Sequence, residues 1–105
     1  MKVAIIGSRG LQPTINIEPK PDEIISGGAK GVDTCAAIYA KENGIKLTEV
    51  LPDYKKHFKS APLIRNQQIV EMADIVYAYW DSKSRGTLFT INYAKKLKKP
   101  VIIAQ

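Results

Sequence analysis

Short apolar runs alternate along the chain with longer stretches whose apolar positions recur every three or four residues. Val3 to Ile6 is an apolar run closed by Gly7 and reads as a buried strand. Pro13, Pro19 and Pro21 fall between Ser8 and Asp22 and leave little room for a long helix. That stretch reads as an irregular connection, with a brief extended piece around Ile15 to Ile17. Glu23 to Ser26 is a second short strand ending in Gly27-Gly28. After Gly31, the residues Val32, Ala36, Tyr39 and Ala40 define one apolar helical face, and Asn43-Gly44 supplies the stop. Lys46 to Leu51 is the third strand, closed by Pro52, and the polar, basic Asp53 to Lys59 is expected to be a surface loop. Ser60-Ala61-Pro62 opens a helix that runs to about Ala73, with proline near the first helical position. Ile75 to Trp80 is a fourth strand, apolar on both faces. Asp81 to Gly86 is a polar loop. Thr87 to Lys98 is a helix with Leu88, Ile91, Ala94 and Leu97 along one side, and Val101 to Ala104 is the last strand after Pro100.

Such alternation argues an α/β architecture, a parallel sheet covered on both faces. Right-handed crossovers bring every strand-to-helix loop to one edge of that sheet, outside the carboxyl ends of the strands, where ligands bind. The sequence shows no repeat, low-complexity segment or linker, and its 105 residues are read as a single domain, 1–105.

Composition narrows the function classes. The 16 Lys+Arg against 10 Asp+Glu give a formal charge of +6, which favours an anionic partner without choosing one. One cysteine excludes an intrachain disulfide, and one histidine with one cysteine excludes a conventional zinc cluster, so no metal site is expected. No apolar run approaches the ~20 residues of a membrane span, and the first apolar stretch is too short for a signal peptide. A cytoplasmic location is the expectation.

Three loops at the expected ligand edge combine glycine with hydroxyl or cationic side chains. They are Gly7-Ser8-Arg9-Gly10, Ser26-Gly27-Gly28-Ala29-Lys30-Gly31-Val32-Asp33, and Asp81-Ser82-Lys83-Ser84-Arg85-Gly86-Thr87. Glycine lets backbone N–H groups approach an anion, and a helix N-terminus adds its unpaired donors and positive dipole end. Hydroxyls and a guanidinium fork complete a phosphate cradle. Arg65-Asn66, in the first turns of the helix after strand three, falls near the same edge. The second loop is neither a Walker motif nor, with Gly27, Gly28 and Gly31, the G-x-G-x-x-G fingerprint.

Each piece also has a plainer reading. Gly7 and Gly10 could simply bend the chain, and Arg65 alone could be a solvated helix residue. Asp33 suits the helix dipole and can hold the glycine loop, since a carboxylate would repel phosphate, or meet a ribose hydroxyl. Trp80 is core by default, or stacks a base from the end of strand four. Cys35 reads as an inert buried thiol and His57 as part of a solvated basic loop. Lys95, Lys96, Lys98 and Lys99 suit the C-terminal end of a helix and are assigned to solubility before DNA binding.

Taken together, Gly7-Ser8-Arg9, Ser26 to Asp33, Arg65-Asn66, Ala73-Asp74 and Gly86-Thr87 resemble the SLOG superfamily, which joins the DNA-processing protein A and LOG proteins, over nearly the whole chain. The likeness is to its small bacterial and phage-type branch. It implies a Rossmann-like three-layer sandwich with a mainly parallel sheet of about five strands, binding nucleotides or nucleotide-derived ligands at the glycine-rich edge. LOG proteins are phosphoribohydrolases that pair an arginine of the Arg65 type with Pro-Gly-Gly-x-Gly-Thr-x-x-Glu. Here Gly86-Thr87 matches Gly-Thr, Lys83-Ser84 replaces the glycine pair, and Thr90 stands at the glutamate. The missing carboxylate would stabilise an oxocarbenium-like centre and activate water, so the comparison leans away from an enzyme. The DNA-processing branch carries a Ser-Gly-Gly-Ala-Arg-Gly-Ile-Asp type of motif, which Ser26 to Asp33 resembles with Lys30 for Arg and Val32 for Ile.

Three functional readings follow. The leading one is a binding domain for a nucleotide or nucleotide-derived phosphate, acting as a sensor or sequestering protein. Gly27, Gly28 and Gly86 would meet phosphate; Ser8, Arg9, Arg65 and Thr87 would add bonds; Asn66, Asp33 and Trp80 would address sugar and base. Gly7, Ser26, Gly31, Ser84 and Arg85 complete the expected ligand-binding set. No catalytic residue, metal or required cofactor is assigned; a nucleotide-like ligand is. The second is LOG-like hydrolysis of a nucleoside monophosphate, for which Asp33 and Asp81 are the carboxylates at that edge. The third is binding of single-stranded DNA through Lys55 to Lys59 and the C-terminal lysines. The wider family also includes molybdenum-cofactor carriers, whose pterin phosphate would use the same edge. Exposed helical faces admit a homodimer.

Overall fold

The computed structural model describes residues 1–104. Five strands, β1 (Lys2–Gly7), β2 (Glu23–Ser26), β3 (Lys46–Glu49), β4 (Ile75–Tyr79) and β5 (Val101–Ala104), form one sheet in the order β3-β2-β1-β4-β5. Every pairing is parallel, with Val3 opposite Ile24 on one side and Ile75 on the other. The helices are α1 (Val32–Glu42), α2 (Tyr54–His57), α3 (Ala61–Met72) and α4 (Arg85–Lys96). The parallel α/β sheet expected from the sequence is therefore the architecture found.

Alternation along β1 divides the core. Val3 and Ile5 face one side, with Ile24, Val32, Ala36, Tyr39 and Ala40, while Ala4 and Ile6 face the other, with Ile69, Val70, Ile91 and Ala94. One layer above the sheet is α1 and the other is α3 with α4. The connection from β1 to β2 has no helix, yet its Ile15 and Ile17 are buried beside α1 and take a helix's place in that layer. Ile17 does not join a strand because its backbone is paired elsewhere. The Tyr39 hydroxyl accepts from its N–H at 3.4 Å and donates to its C=O at 3.2 Å.

The chain builds β1, β2 and β3 outward to one side, then crosses to β4 and β5 on the other. The loops leaving β1 and β4 therefore diverge to opposite faces, and a crevice opens between them at the carboxyl end of the sheet.

Five expectations are corrected. Asp53 to Lys59 is not a plain loop: it forms α2 and a 3-10 turn over Phe58–Ser60. Asp53 starts it, its Oδ1 accepting the Lys56 N–H at 3.1 Å. β3 stops at Glu49 and β4 at Tyr79, short of Leu51 and Trp80. The last helix begins at Arg85, two positions before Thr87, because Ser84 caps it. Its buried stripe is Thr87, Thr90, Ile91 and Ala94, whereas Leu88 and Leu97 are each 39% exposed. Threonine can occupy that face because the Thr90 hydroxyl donates to the Gly86 carbonyl at 2.8 Å and enters the core satisfied. Among the described residues no helix is long and apolar enough to cross a membrane.

Candidate functional site

A cavity of about 450 Å³ occupies the crevice at the carboxyl end of β1 and β4. It brings together Gly7, Ser8, Arg9, Gly27, Asp33, Arg65, Asn66, Ser84, Gly86 and Thr87, all of them in the expected ligand-binding set. Ser26, Gly28, Gly31, Trp80 and Arg85 do not line it. Ser26 is fully buried and its hydroxyl has no partner among the described residues. Arg85 is exposed at the first position of α4. Trp80 lines a second cavity of about 380 Å³, with Leu11, Gln12, Pro13, Asp81 and Ser82.

Arg65 is delivered by α3 and is only 8% exposed. Its Nη1 donates to the Gly27 carbonyl at 2.7 Å, and its Nε donates to Asn66 Oδ1 at 2.8 Å. Burial pulls its pKa down, opposed by the charge of Asp33, while the Arg9 charge pulls the same way as burial. Arg9 itself is exposed on the β1 loop. Two guanidinium groups thus share one crevice, and neither forms an ion pair within 4.0 Å among the described residues.

Asp33 lies in the first turn of α1, and its Oδ2 accepts the Ala29 N–H at 3.0 Å. Burial pushes its pKa up; the Ala29 N–H and then the Arg65 charge act in the opposite sense. Asp33 thus ties the glycine loop to the first turn of α1. The glycines of the same loop are spent largely on protein contacts. Gly31 has φ +74°, and a Cβ there would overlap the Arg9 carbonyl oxygen. A Cβ on Gly27 would run into the Arg65 guanidinium and Asp33. Gly31 therefore packs the loop before α1 onto the β1 loop, while Gly28, exposed at φ +69°, lies against Leu51 beyond β3, and neither lines the cavity.

On the β4 side, Ser8 is 2% exposed, and its Oγ accepts the Asp81 N–H at 3.2 Å. Asp81 Oδ1 accepts the N–H groups of Ser84 and Lys83 at 2.7 and 2.8 Å. Those donors, Ser84 first, hold the Asp81 carboxyl below its ordinary range. Ser84 Oγ accepts the Thr87 N–H at 3.4 Å and lies 3.1 Å from Thr87 Oγ1. The opening N–H groups of α4 precede any intrahelical partner and point toward the crevice end of the helix.

Ala29, Pro62, Leu63, Ile69 and Thr90 also line the cavity and were not in the expected set. Pro62 and Leu63 share a turn with Arg65, and Thr90 lies one turn beyond Gly86, so helical spacing was the available signal. Among the described residues no group of His, Cys, Asp or Glu could hold a metal ion.

A family model described as "YAcAr: YspA, cpYpsA-related SLOG family" matches residues 17–57, the stretch holding β2, the glycine loop, α1 and β3. The structure is similar to that of DNA processing protein A from Streptococcus pneumoniae, with a TM-score of 0.74 at 23% identity. That likeness covers 97% of this chain and 49% of the other, so the chain spans about half its length. It is also similar to the structural-genomics target TM1055, with a TM-score of 0.70 at 21% identity, over 95% of this chain and 71% of that one. Comparison with curated protein sequences gives no match. The stretch that holds the glycine loop thus matches a SLOG family model, and the chain as a whole shares the Rossmann-like fold of these two structures.

Proposed function

We propose that this chain binds a nucleotide or nucleotide-derived phosphate in the crevice at the carboxyl end of β1 and β4. The observation that carries this reading is the pairing of Arg9 and Arg65 in one cavity with the N-terminus of α4, with no ion pair to either guanidinium among the described residues. An anion there removes the repulsion between the two cations and satisfies the opening N–H groups of α4. Arg9, the Thr87 hydroxyl and the backbone at Gly86 are the phosphate contacts. Arg65, already donating to Gly27 and Asn66, offers its remaining N–H groups and fixes the loop. Asp33 keeps the glycine loop closed. Thr90, whose hydroxyl donates to the Gly86 carbonyl, stands where the LOG-type motif has its glutamate, which favours binding over turnover, in a sensor or sequestering role.

Isothermal titration calorimetry against nucleoside mono-, di- and triphosphates and ADP-ribose tests this. At least one is expected to bind tighter than ~1 mM, about 4 kcal/mol. Arg9→Ala is expected to weaken it by about tenfold, the worth of one charge-assisted bond. Absence of heat across the panel overturns the reading.

A second reading has its own observation. Tyr54 and Phe58 are 56% and 73% exposed beside Lys55, Lys56 and Lys59, an arrangement suited to stacking and charge contacts with a single strand.

A further inference from the structure

The second cavity differs in chemistry from the first. Its walls are the Trp80 indole and the half-buried Leu11 and Pro13, with the exposed Gln12 amide among its polar groups. The two cavities are neighbours, for Asp81 lines both. The β1 loop also runs from one to the other: Arg9 and Gly10 face the crevice, and Leu11, Gln12 and Pro13 face the second cavity. Two bonds fix the partition. Leu11 N–H donates to the Ser8 carbonyl at 3.2 Å, and Asp81 N–H donates to Ser8 Oγ at 3.2 Å. The indole is held as well, its Nε1 donating to the Ser84 carbonyl at 2.9 Å. With its polar atom engaged, the ring offers the cavity carbon surface only.

A cationic crevice, a carboxylate boundary and an aromatic-walled cavity therefore follow one another across about one loop's width. An anion is repelled from the Trp80 cavity by Asp81 and finds no cationic side chain there, only the Gln12 amide and the Ser82 hydroxyl as side-chain donors. A neutral planar ring buries apolar area against Trp80, Leu11 and Pro13, and an amide can donate to and accept from its edge. Asp81, acceptor-only as a carboxylate, suits a hydroxyl-bearing link between the two parts.

We infer that the Trp80 cavity receives the nitrogen heterocycle of a nucleotide whose phosphate lies in the adjoining crevice, with its sugar passing Asp81. This rests on the phosphate reading above and adds the part of the ligand that the phosphate site does not discriminate.

Trp80 is the only tryptophan in the chain, so tryptophan emission comes from one wall of this cavity. The full chain is titrated with the nucleoside monophosphates, ribose 5-phosphate and inorganic phosphate, following emission and calorimetric heat together. The expected result is saturable quenching of Trp80 by at least one nucleoside monophosphate at the concentrations that give heat. Ribose 5-phosphate binds without quenching and about tenfold more weakly, the typical worth of one stacked base. Trp80→Leu brings the nucleotide-to-ribose-phosphate affinity ratio to about one, and Trp80→Phe restores part of it. Should Trp80→Leu not fold, Gln12→Ala, at an exposed position, is expected to alter the preference among the four bases. Equal affinity for nucleotide and ribose 5-phosphate with unchanged emission overturns the base site and leaves the phosphate reading standing. Failure of every ligand to bind overturns both. Quenching that depends on protein concentration alone assigns the cavity to a second copy of this chain and overturns the inference.

Discussion

Gly31, just before α1, and Gly86, in the first turn of α4, obey different constraints. Gly31 is held at φ +74° with the Arg9 carbonyl where a side chain would begin, so Gly31→Ala combines a disfavoured backbone with an overlap that backbone must relieve. Loss of about 3 kcal/mol in urea unfolding is expected, the sum of a strained residue and an overpacked contact. A Cβ on Gly86 would meet no atom within 4 Å, and its φ is not positive. Gly86→Ala is expected to stabilise the fold by about 0.5 kcal/mol, as alanine does over glycine in a helix. It is also expected to weaken nucleotide binding in calorimetry, because the methyl group would stand on the α4 backbone proposed to meet phosphate. Opposite signs in the two measurements separate a ligand glycine from a packing glycine. In the sequence the two kinds look alike. That Gly31 meets residue 9 is a contact across 22 positions, and local composition carries no trace of it.

The elements that carry the site depend on their first turns. Ser84 caps α4, accepting the Thr87 N–H, and Ser84→Ala is expected to cost about 1 kcal/mol in urea unfolding, with Ser84→Gly costing only a few tenths. The acids at the openings of α1 and α4 act on stability with opposite pH signs. Burial raises Asp33 above the ordinary value of 3.8, so the folded state holds that proton more tightly than the unfolded chain. Relative to Asp33→Asn, the wild-type protein should gain stability as pH falls from neutrality through that raised value. The Asp81 carboxyl is held below 3.8 by the Ser84 and Lys83 N–H groups. Its contribution over Asp81→Asn should be complete above 3.8 and vanish as pH falls through the depressed value. Melting temperatures of the three proteins across the acid range distinguish these slopes. Strand and helix order was readable at this scale because periodicity is a local property, as Val32, Ala36, Tyr39 and Ala40 show on α1. The phase of α4 was not. Leucine was the natural choice for the buried side, and Thr90 displaces it only because its hydroxyl finds the carbonyl of Gly86 one turn back.

Across the whole molecule the formal charge of +6 is unevenly used. Of the 16 cationic residues, Arg9 and Arg65 line the crevice, whereas Lys55, Lys56 and Lys59 sit exposed on the turn between β3 and α3. The meeting of β1, α3 and α4 at one edge was legible once the strands were read as parallel. The separation of Trp80 into a neighbouring cavity was not, because it depends on how the Ser8 turn divides the space. This partition of charge decides between the two partner classes. A strand lying along three lysines would displace about one condensed counterion at each contact, giving a log–log salt slope of roughly −2. A mononucleotide has no condensed counterion atmosphere to release, so its slope should be shallower than about −1, less than about a fourfold loss between 50 and 200 mM salt. Replacing Lys55, Lys56 and Lys59 together with alanine is expected to leave mononucleotide affinity within about twofold at 200 mM salt, since these exposed lysines do not line the crevice and salt screens exposed charges. An oligothymidylate titrated into the same two proteins completes the comparison. A slope near −2 that disappears in the triple variant, with oligonucleotide bound more tightly than any mononucleotide, would move the functional surface from the arginine crevice to the lysine turn.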